Sequence, residues 1–594
     1  MSSHFPSRRS VVHSTKGIVS STQPLATAAG VRVLEKGGNA AMAAIATAAA
    51  LAVLEPHMTG PGGDMFSLYY EASSKKVHGI NGSGRAPADI TLERVKKDLN
   101  IGPDSPRRGV PAPSIHSVTV PGAVAGWVDV YEKWGNGKLS LEEVLQPAID
   151  LAENGFPVSE ISADLWKNGV PLLTKQEAWS LLTEEKTAPN SGEVFFNKGL
   201  AKTLKAIGEH GKDGFYKGFV ADAIIDAVKK HNGVLNYKDL DSHTSTFIEN
   251  GSLSVVANLP TSKDKKERRN LRVHEIPPNG QGFVALQTLG LIKAFEKQGL
   301  INPIETYDHN SVEYLHILIE ALKIAFRHAD DYISDLSNHP DIDLDHLLSE
   351  EYLAEEAKAF NPKKSSPNNL EHRGGVVNPI LESDTVYFTA SDSEGNACSF
   401  INSIYGLFGS GIIPDDLGFV LQNRGANFNL LPGSRNVIEG GKRPYHTIIP
   451  AMVTDDDSNE LYASYGVMGG FMQPQGHVQV LYNLTLFGLD PQQALDAPRF
   501  CLTADPDERH GAKRHGTPDG PASNPSTIVG IEEEVLPEVI EGLRALGHKV
   551  RVYGQTEKDL FGRGQVIRQS VSNGVRVYSA GSDPRGDGAA VPQI

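Results

Sequence analysis

The stretch that decides the fold reads Leu381-Glu-Ser-Asp-Thr385-Val-Tyr-Phe-Thr-Ala-Ser-Asp392-Ser-Glu-Gly395-Asn396-Ala-Cys-Ser-Phe400. Over residues 386–390 the side chains alternate in the way that is typical of a half-buried β-strand. The residues Asp392-Ser-Glu-Gly-Asn that follow are typical of a hairpin turn. The sequence therefore predicts an antiparallel hairpin whose second strand covers residues 397–404.

Thr385 opens the first of these strands, directly after a Gly-, Pro- and Asn-rich segment at residues 361–379. If the chain were cut before Thr385, the threonine hydroxyl would lie beside its own free α-amine. An α-amine has a reference pKa near ~8, so it can take the hydroxyl proton and activate the oxygen as a nucleophile. On these residues alone, a β-forming threonine at the start of a strand is the simpler interpretation.

Composition limits the partners that the chain can have. The 594 residues carry a formal net charge of -16, which argues against nucleic acid and anionic membranes as partners. The two cysteines, Cys398 and Cys501, form neither a disulfide framework nor a metal cluster, and we expect no metal or cofactor. The first ten residues lack the apolar run of a signal peptide, and no stretch reaches the ~18 apolar residues of a membrane span. We expect a soluble, cytoplasmic protein.

Helical spacing marks several segments along the chain. The predicted helices cover residues 27–36, 40–54, 311–331 and 475–487. His316 and His328 lie on the third of these, where surface positions are the simpler interpretation. Residues 505–524 are rich in Pro, Gly, Asp and His and predict an exposed insertion.

A set of motifs after Thr385 carries a family resemblance. They are Asp392-x-x-Gly395-Asn396, then Phe408-Gly409-Ser410-Gly411, then Met468-Gly469-Gly470. In this order they resemble the γ-glutamyltranspeptidase family of N-terminal-nucleophile hydrolases. Further blocks, from Glu35-Lys-Gly-Gly-Asn-Ala40 to Gly581-Ser-Asp-Pro-Arg-Gly-Asp-Gly588, extend the resemblance over about residues 18 to 590.

The resemblance implies a fold and a maturation step. The fold is of the α+β class, a four-layer αββα sandwich with stacked antiparallel sheets. The precursor cleaves itself between Asp384 and Thr385. We therefore expect a large fragment, 1–384, and a small fragment, 385–594, that form one intertwined domain. The mature protein is then a heterodimer of its own two fragments, and further oligomerisation stays open.

The resemblance also assigns catalytic roles by position. Thr385 is the nucleophile, and Gly469 and Gly470 stand where the family forms an oxyanion hole. Two backbone N–H groups on a glycine turn can stabilise a developing oxyanion without obstruction by side chains. Ser403 stands where the family has a second threonine that hydrogen-bonds the nucleophile, and it retains a hydroxyl.

The substrate pocket departs from the family pattern. Ser83 stands where the family has an arginine that grips the substrate α-carboxylate, and Arg85 lies two residues later. An aspartate that binds the substrate α-ammonium becomes Asn427, and a glutamine becomes Arg424. An asparagine becomes Tyr405, and a Ser-Ser pair becomes His446-Thr447. The candidate substrate-binding residues are therefore Arg85, Tyr405, Arg424, Asn427, His446 and Thr447.

Together, these substitutions remove a carboxylate and add a guanidinium, which favours an anionic substrate without an α-amine. They resemble the acylase-like and oxamate amidohydrolase-like branch of the family. The resemblance implies a glutathione hydrolase-like amidohydrolase or acyltransferase that cleaves a γ-glutamyl or related small acyl amide through an acyl-enzyme on Thr385. Two alternatives stay open. One is an oxamate- or glutaryl-type amidohydrolase without transferase activity, and the other is a catalytically silent binding or structural protein.

Overall fold

A computed structural model describes residues 9–102, 109–262, 264–367, 384–505 and 527–594, without the side chains of residues 384, 555 and 556. The predicted insertion at residues 505–524 lies outside these ranges apart from its first residue. Most of the segment that precedes Thr385 lies outside them as well.

Strands form much of the molecule. In chain order they are β1 (Val12–Ser14), β2 (Ile18–Ser21), β3 (Asp64–Glu71), β4 (Lys76–Gly82), β5 (Phe156–Pro157), β6 (Val194–Phe195), β7 (Thr246–Phe247), β8 (Leu253–Pro260), β9 (Arg268–Glu275), β10 (Asp384–Ser391), β11 (Ala397–Tyr405), β12 (Ala451–Asp455), β13 (Leu461–Met468), β14 (Phe500–Ala504), β15 (Thr527–Glu532), β16 (Val550–Tyr553), β17 (Arg563–Ser572), β18 (Val575–Ser582) and β19 (Ala589–Pro592).

Helices form a larger part of the described chain than strands do. They are α1 (Pro24–Glu35), α2 (Ala40–Leu54), α3 (Leu92–Asp98), α4 (Ala123–Trp134), α5 (Leu141–Asn154), α6 (Glu160–Lys175), α7 (Lys198–His210), α8 (Asp213–Tyr216), α9 (Gly218–Lys230), α10 (Tyr237–Asp241), α11 (Gly282–Lys297), α12 (Val312–Tyr332), α13 (Leu344–Leu347), α14 (Glu350–Glu356), α15 (Met472–Thr485), α16 (Pro491–Asp496) and α17 (Pro537–Ala545). None of them is long and apolar enough to cross a membrane.

Two seven-stranded antiparallel sheets stack at the centre of the molecule. The first has the order β19-β2-β10-β11-β3-β4-β7, and the second has the order β1-β18-β17-β13-β12-β9-β8. One hydrophobic core lies between the first sheet and helices such as α2 and α4. Another lies between the second sheet and helices that include α11, α12 and α15. This is the α+β arrangement of stacked antiparallel sheets between helices that the resemblance implies.

Strands from both sides of residue 384 build each sheet. The first sheet takes β2, β3, β4 and β7 from the earlier part of the chain and β10, β11 and β19 from the later part. The second takes β1, β8 and β9 from the earlier part and β12, β13, β17 and β18 from the later part. Neither part of the chain therefore contains a complete sheet.

Helix α2 shows how sequence sets the packing under the first sheet. All of its residues are buried, and most of them are alanine, so neighbouring backbones can approach closely. Its N-terminus is capped by Asn39, whose side-chain oxygen accepts a hydrogen bond from the backbone N–H of Met42. The predicted small-residue helix at residues 40–54 is confirmed.

Helix α12 corrects one expectation. His316 and His328 are buried, with 1% and 7% of their surface exposed, so the prediction of surface positions is wrong. The reason is that α12 is covered by several elements, among them α11 and α17. His316 lies 2.8 Å from His548, and His328 lies 2.8 Å from Gln287, so both imidazoles have buried polar partners.

Candidate active site

The β10–β11 hairpin places Thr385 at the edge of the sandwich interior. The strands pair as predicted, and the register shifts between Asp384 and Val386, so Thr385 lies at an irregular point of the ladder. Asp392 fixes the turn because its side chain accepts hydrogen bonds from the backbone N–H groups of Glu394 and Asn396. Thr385 itself is completely buried.

The second sheet faces this hairpin through β13. The Thr389 hydroxyl lies 2.6 Å from that of Ser464. Two residues along each strand, the Tyr387 ring packs on Gly466 so closely that a Cβ there would lie 2.5 Å from the ring. Continued by two residues, the same step would bring Thr385 to the level of Met468, the last residue of β13. The Thr385 end of β10 is thus directed toward the turn that follows β13.

That turn is formed by Gly469 and Gly470, the predicted oxyanion-hole pair. Their φ angles of +123° and +56° lie in a region that L side chains rarely adopt, so glycine suits both positions. The carbonyl of Gly470 accepts a hydrogen bond of 2.8 Å from the Gln281 side chain, which also donates to the Thr447 carbonyl. Gln281 thus holds two site loops together, and the sequence analysis missed it.

Ser403 is the direct partner of the candidate nucleophile. The Thr385 hydroxyl donates a hydrogen bond of 3.1 Å to the Ser403 Oγ. The same oxygen accepts from the Tyr405 backbone N–H at 2.9 Å and from Nη2 of Arg424 at 3.1 Å. With three donors around it, the Ser403 oxygen can orient the Thr385 hydroxyl but is a poor acceptor for its proton.

The Arg424 side chain lies beside Ser403 and is completely buried. Its Nη1 donates to the Thr447 hydroxyl at 2.7 Å, and its guanidinium lies 4.4 Å from the centre of the Tyr405 ring. Burial lowers the pKa of Arg424 to about 10, so the group remains charged at neutral pH. Among the described residues, no carboxylate lies within ion-pair distance of it, and its Nε–H has no hydrogen-bond acceptor.

Asn427 is hydrogen-bonded to Tyr405 and to the backbone of Tyr445. The Tyr405 hydroxyl donates to Oδ1 of Asn427 at 2.6 Å, and the Asn427 amide donates to the Tyr445 carbonyl at 3.1 Å. Tyr405 adopts a φ of +79°, which is unusual for a bulky residue and turns the chain at the end of β11. A phenol therefore fills the space beside the position where the family has a carboxylate.

His446 pairs with Asp64, a residue that the sequence analysis did not single out. Nε2 of His446 donates to Oδ2 of Asp64 at 2.9 Å, while Oδ1 accepts from Gln422 and from the Gly84 N–H. Burial favours a raised pKa for Asp64, but His446 and the other donors outweigh it and hold the pKa below its ordinary value. Burial lowers the pKa of His446 to about 3, so the imidazole is neutral.

Asp64 could have been noticed as a charged residue that opens an apolar strand. It follows Gly62-Gly63 and begins β3, opposite Ser403 in the β3–β11 register. A carboxylate in a fully buried strand needs several donors, which is a signal of a polar site.

Arg85 is the one candidate that lies apart. It is half-buried and donates to the Thr244 carbonyl at 3.3 Å, and Arg443 donates to the same carbonyl at 3.3 Å. Within the described part of the chain, no hydrogen bond joins Arg85 to Thr385, Ser403 or Arg424. Ser83, at the family's arginine position, is buried and donates to Asn81.

Among the groups that the described residues place around Thr385, none is well suited to take its proton. The Ser403 oxygen already accepts three hydrogen bonds, Asp64 has a lowered pKa, and His446 is a weak base with a pKa of about 3. The α-amine that cleavage before Thr385 would release is attached to the nucleophile itself, and its ordinary pKa near ~8 suits a general base.

One buried group elsewhere has spacing suited to a metal ion, formed by His316, Glu320 and His548. The two imidazoles are hydrogen-bonded to each other, and Glu320 forms an ion pair of 2.8 Å with the buried Lys323. An ammonium in that position opposes a second cation. The group instead holds residues 361–366, since Glu320 accepts from the Ser366 N–H at 3.0 Å.

Comparison with known proteins agrees with this geometry. The chain is 34% identical to a glutathione hydrolase-like proenzyme of Bacillus subtilis over 582 residues, which is 97% of this chain and 98% of that protein. It is 31% identical to an oxamate amidohydrolase proenzyme of Klebsiella pneumoniae, again over 97% of this chain and 98% of the relative.

Solved structures agree as well. The crystal structure of a cephalosporin acylase from Bacillus halodurans matches with a TM-score of 0.81 and 36% identity, covering 100% of this chain and 98% of that one. The sequence model described as Gamma-glutamyltranspeptidase matches residues 26–593. With its fold, its strand-opening threonine and its paired glycines, this chain belongs to the γ-glutamyltranspeptidase family.

Proposed function

We propose that this member of the family hydrolyses amides whose acyl group carries a carboxylate and lacks an α-ammonium. The observation that carries the proposal is Arg424, a completely buried guanidinium two hydrogen bonds away from Thr385. Among the described residues it has no carboxylate partner, and its Nε–H has no acceptor.

A buried charge without an ion-pair partner is costly, by several kcal/mol in real proteins. Asp64 attracts Arg424 only from beyond ion-pair distance, and the hydroxyls of Ser403 and Thr447, which contact it, carry no charge. A substrate carboxylate would supply a counter-charge in direct contact, through charge-assisted hydrogen bonds, which are the strong ones. Arg424 thus favours an anionic acyl group.

The same pocket offers little to an α-ammonium. Asn427 stands where the family has the carboxylate that binds this group, and its oxygen already accepts from Tyr405. A substrate ammonium would find no opposite charge there and would lie in the field of Arg424. Glutaryl and oxalyl groups, the second being the acyl group of oxamate, avoid both costs.

The names of the relatives support two candidates. An oxamate amidohydrolase and a cephalosporin acylase act on acyl groups outside the γ-glutamyl class, in line with the proposal. The name glutathione hydrolase-like favours the second candidate, which is hydrolysis or transfer of a γ-glutamyl group. The two candidates differ in the α-amine of the donor, which makes them separable by assay.

We also propose that the chain matures by cutting itself between Asp384 and Thr385. Several relatives are named as proenzymes, and Thr385 stands at the start of β10 with its hydroxyl already oriented by Ser403. A denaturing gel tests this step. Two fragments near residues 1–384 and 385–594 are expected, whereas a single intact chain in purified protein would favour the silent binding protein.

A hydrolysis panel tests the substrate class. The donors are glutathione, γ-glutamyl anilide, glutaryl anilide, butyryl anilide and oxamate. We expect glutaryl anilide to exceed γ-glutamyl anilide in kcat/KM by at least about tenfold, because both carry the carboxylate but only the γ-glutamyl donor must bury an ammonium without an opposite charge, which costs at least ~1.5 kcal/mol.

The contribution of Arg424 is tested by neutralising it. Arg424→Gln is expected to lower kcat/KM for glutaryl anilide about tenfold to a hundredfold more than for the uncharged butyryl anilide. Arg435→Gln is the matched control, because Arg435 lies in the same connection between β11 and β12 but pairs with Asp341 outside the site. A wild-type preference for glutathione over glutaryl anilide would instead support the γ-glutamyl candidate.

A further inference from the structure

Arg424 contacts Ser403, the hydrogen-bond partner of Thr385, as well as the candidate substrate-binding residues. Its Nη2 lies 3.1 Å from the Ser403 Oγ, which lies 3.1 Å from the Thr385 Oγ, so guanidinium and nucleophile are within about 6 Å. The hydrogen bond to Thr447 and the Tyr405 ring fix the guanidinium from two further sides. This geometry does not depend on any substrate.

We propose that Arg424 is a positioning residue for the reaction: it fixes Ser403 against the Thr385 hydroxyl, and its charge keeps the α-amine of mature Thr385 neutral. The amine must be neutral to take the hydroxyl proton as Oγ bonds to the acyl carbon. The resulting ammonium then gives that proton to the departing amine. Without a nearby cation, an α-amine with an ordinary pKa near ~8 is mostly protonated at neutral pH.

Other ionisable groups face the same space, namely Asp64, His446, Tyr405 and Arg563. His446 is neutral, and burial raises the pKa of the Tyr405 phenol, so it is neutral too. Arg563 pairs in register with Met468 on the facing sheet and adds a second cation. Asp64 opposes the cations.

The negative charge of Asp64 is the main counterweight to Arg424. Its two oxygens already accept from Gly84, Gln422 and His446, and these three donors offset its negative charge. Arg424 has no ion-pair partner among the described residues and is hydrogen-bonded to Ser403, the partner of Thr385. The positive charge is therefore the less compensated of the two, so the amine is expected to lose its proton more readily than in water.

The size of the effect follows from distance. At an effective dielectric constant of about 20, a unit charge about 8 Å away shifts a pKa by roughly 1.5 units. Asp64 offsets part of this shift. We expect removal of the Arg424 charge to raise the pKa of the amine by about one unit.

The experiment measures kcat/KM against pH with butyryl anilide, an uncharged donor, for wild type, Arg424→Gln, Arg424→Lys and Arg435→Gln. The acid limb of this profile reports the base of the free enzyme. Because the donor has no carboxylate, its hydrolysis does not depend on an ion pair between Arg424 and the substrate. A failure here therefore leaves the proposed substrate class untouched.

For wild type we expect an acid-limb midpoint below about 7. Arg424→Gln should move the midpoint up by about one pH unit, Arg424→Lys should keep it near wild type, and Arg435→Gln should leave it unchanged. A wild-type midpoint near 8 overturns the proposal, and so does an Arg424→Gln variant that is slower at every pH with an unmoved midpoint. If Arg424→Gln does not mature, the wild-type and Arg424→Lys midpoints decide.

Discussion

Replacing Asn427 with Asp restores a carboxylate where the family binds the substrate α-ammonium. The hydrogen bond of 2.6 Å from the Tyr405 hydroxyl survives, because a carboxylate oxygen also accepts. The donation of the Asn427 amide to the Tyr445 carbonyl at 3.1 Å is lost. That loss should destabilise the protein by about 1–3 kcal/mol, which a thermal melt measures.

The change in selectivity has two parts that act in the same direction. A new charge-assisted hydrogen bond to the ammonium is worth ~1.5–3 kcal/mol, which corresponds to roughly tenfold to 150-fold in kcat/KM. Residue 427 also lies on the same short turn as Arg424, from Arg424 to Asn427. The new carboxylate partly neutralises that guanidinium and weakens its hold on a substrate carboxylate.

The assay compares γ-glutamyl anilide with glutaryl anilide, which differ only in the α-amine. Asn427→Asp is expected to raise the ratio of their kcat/KM values at least tenfold in favour of the γ-glutamyl donor. Asn427→Ala is the control, because it also loses the hydrogen bond to the Tyr445 carbonyl and adds no charge. An unchanged ratio in Asn427→Asp, together with a wild-type preference for glutathione, would refute an anionic pocket centred on Arg424.

Four further variants test the rest of the site. Thr385→Ala should remain a single uncut chain without amidase activity, and Thr385→Ser should be partly processed, as a denaturing gel will show. Ser403→Ala should lower kcat about fivefold, because one hydrogen bond of ~1 kcal/mol orients the Thr385 hydroxyl. Asp64→Asn should lower thermal stability by about 1.5–3 kcal/mol at neutral pH. The folded-state pKa of Asp64 is depressed, so this difference is present above pH ~3.9 and fades as pH falls through the folded pKa.

The parts of the fold that could be predicted are those set by local patterns. Alternation along residues 386–390, the turn at Asp392 and the alanine-rich segment before Leu54 each depend on neighbours in sequence. Thr385 and the Gly469-Gly470 pair were found because each belongs to a short motif. That β10 and β13 face each other, so that these two motifs lie at facing strand ends, is encoded by no single segment.

The parts that could not be predicted depend on contacts between distant residues. The Asp64–His446 hydrogen bond joins residues 382 positions apart, and Gln281 bridges two loops that lie 166 and 189 positions from it. His316 lies in a segment with the spacing of an amphipathic helix, but it is buried against His548, which lies 232 positions further along the chain. A hydrophobic pattern marks one buried face of a helix, but it does not show which distant residues cover the other face.

Because each sheet combines strands from before and after Thr385, a cut at that point would make maturation irreversible. The connection that brought β10 to its neighbours during folding would be gone, while the neighbours still hold it in place. Unfolded mature protein would then be two separate chains, whose recovery falls with dilution. Heat inactivation should be governed by a rate rather than an equilibrium, whereas the uncut Thr385→Ala chain keeps its ability to refold.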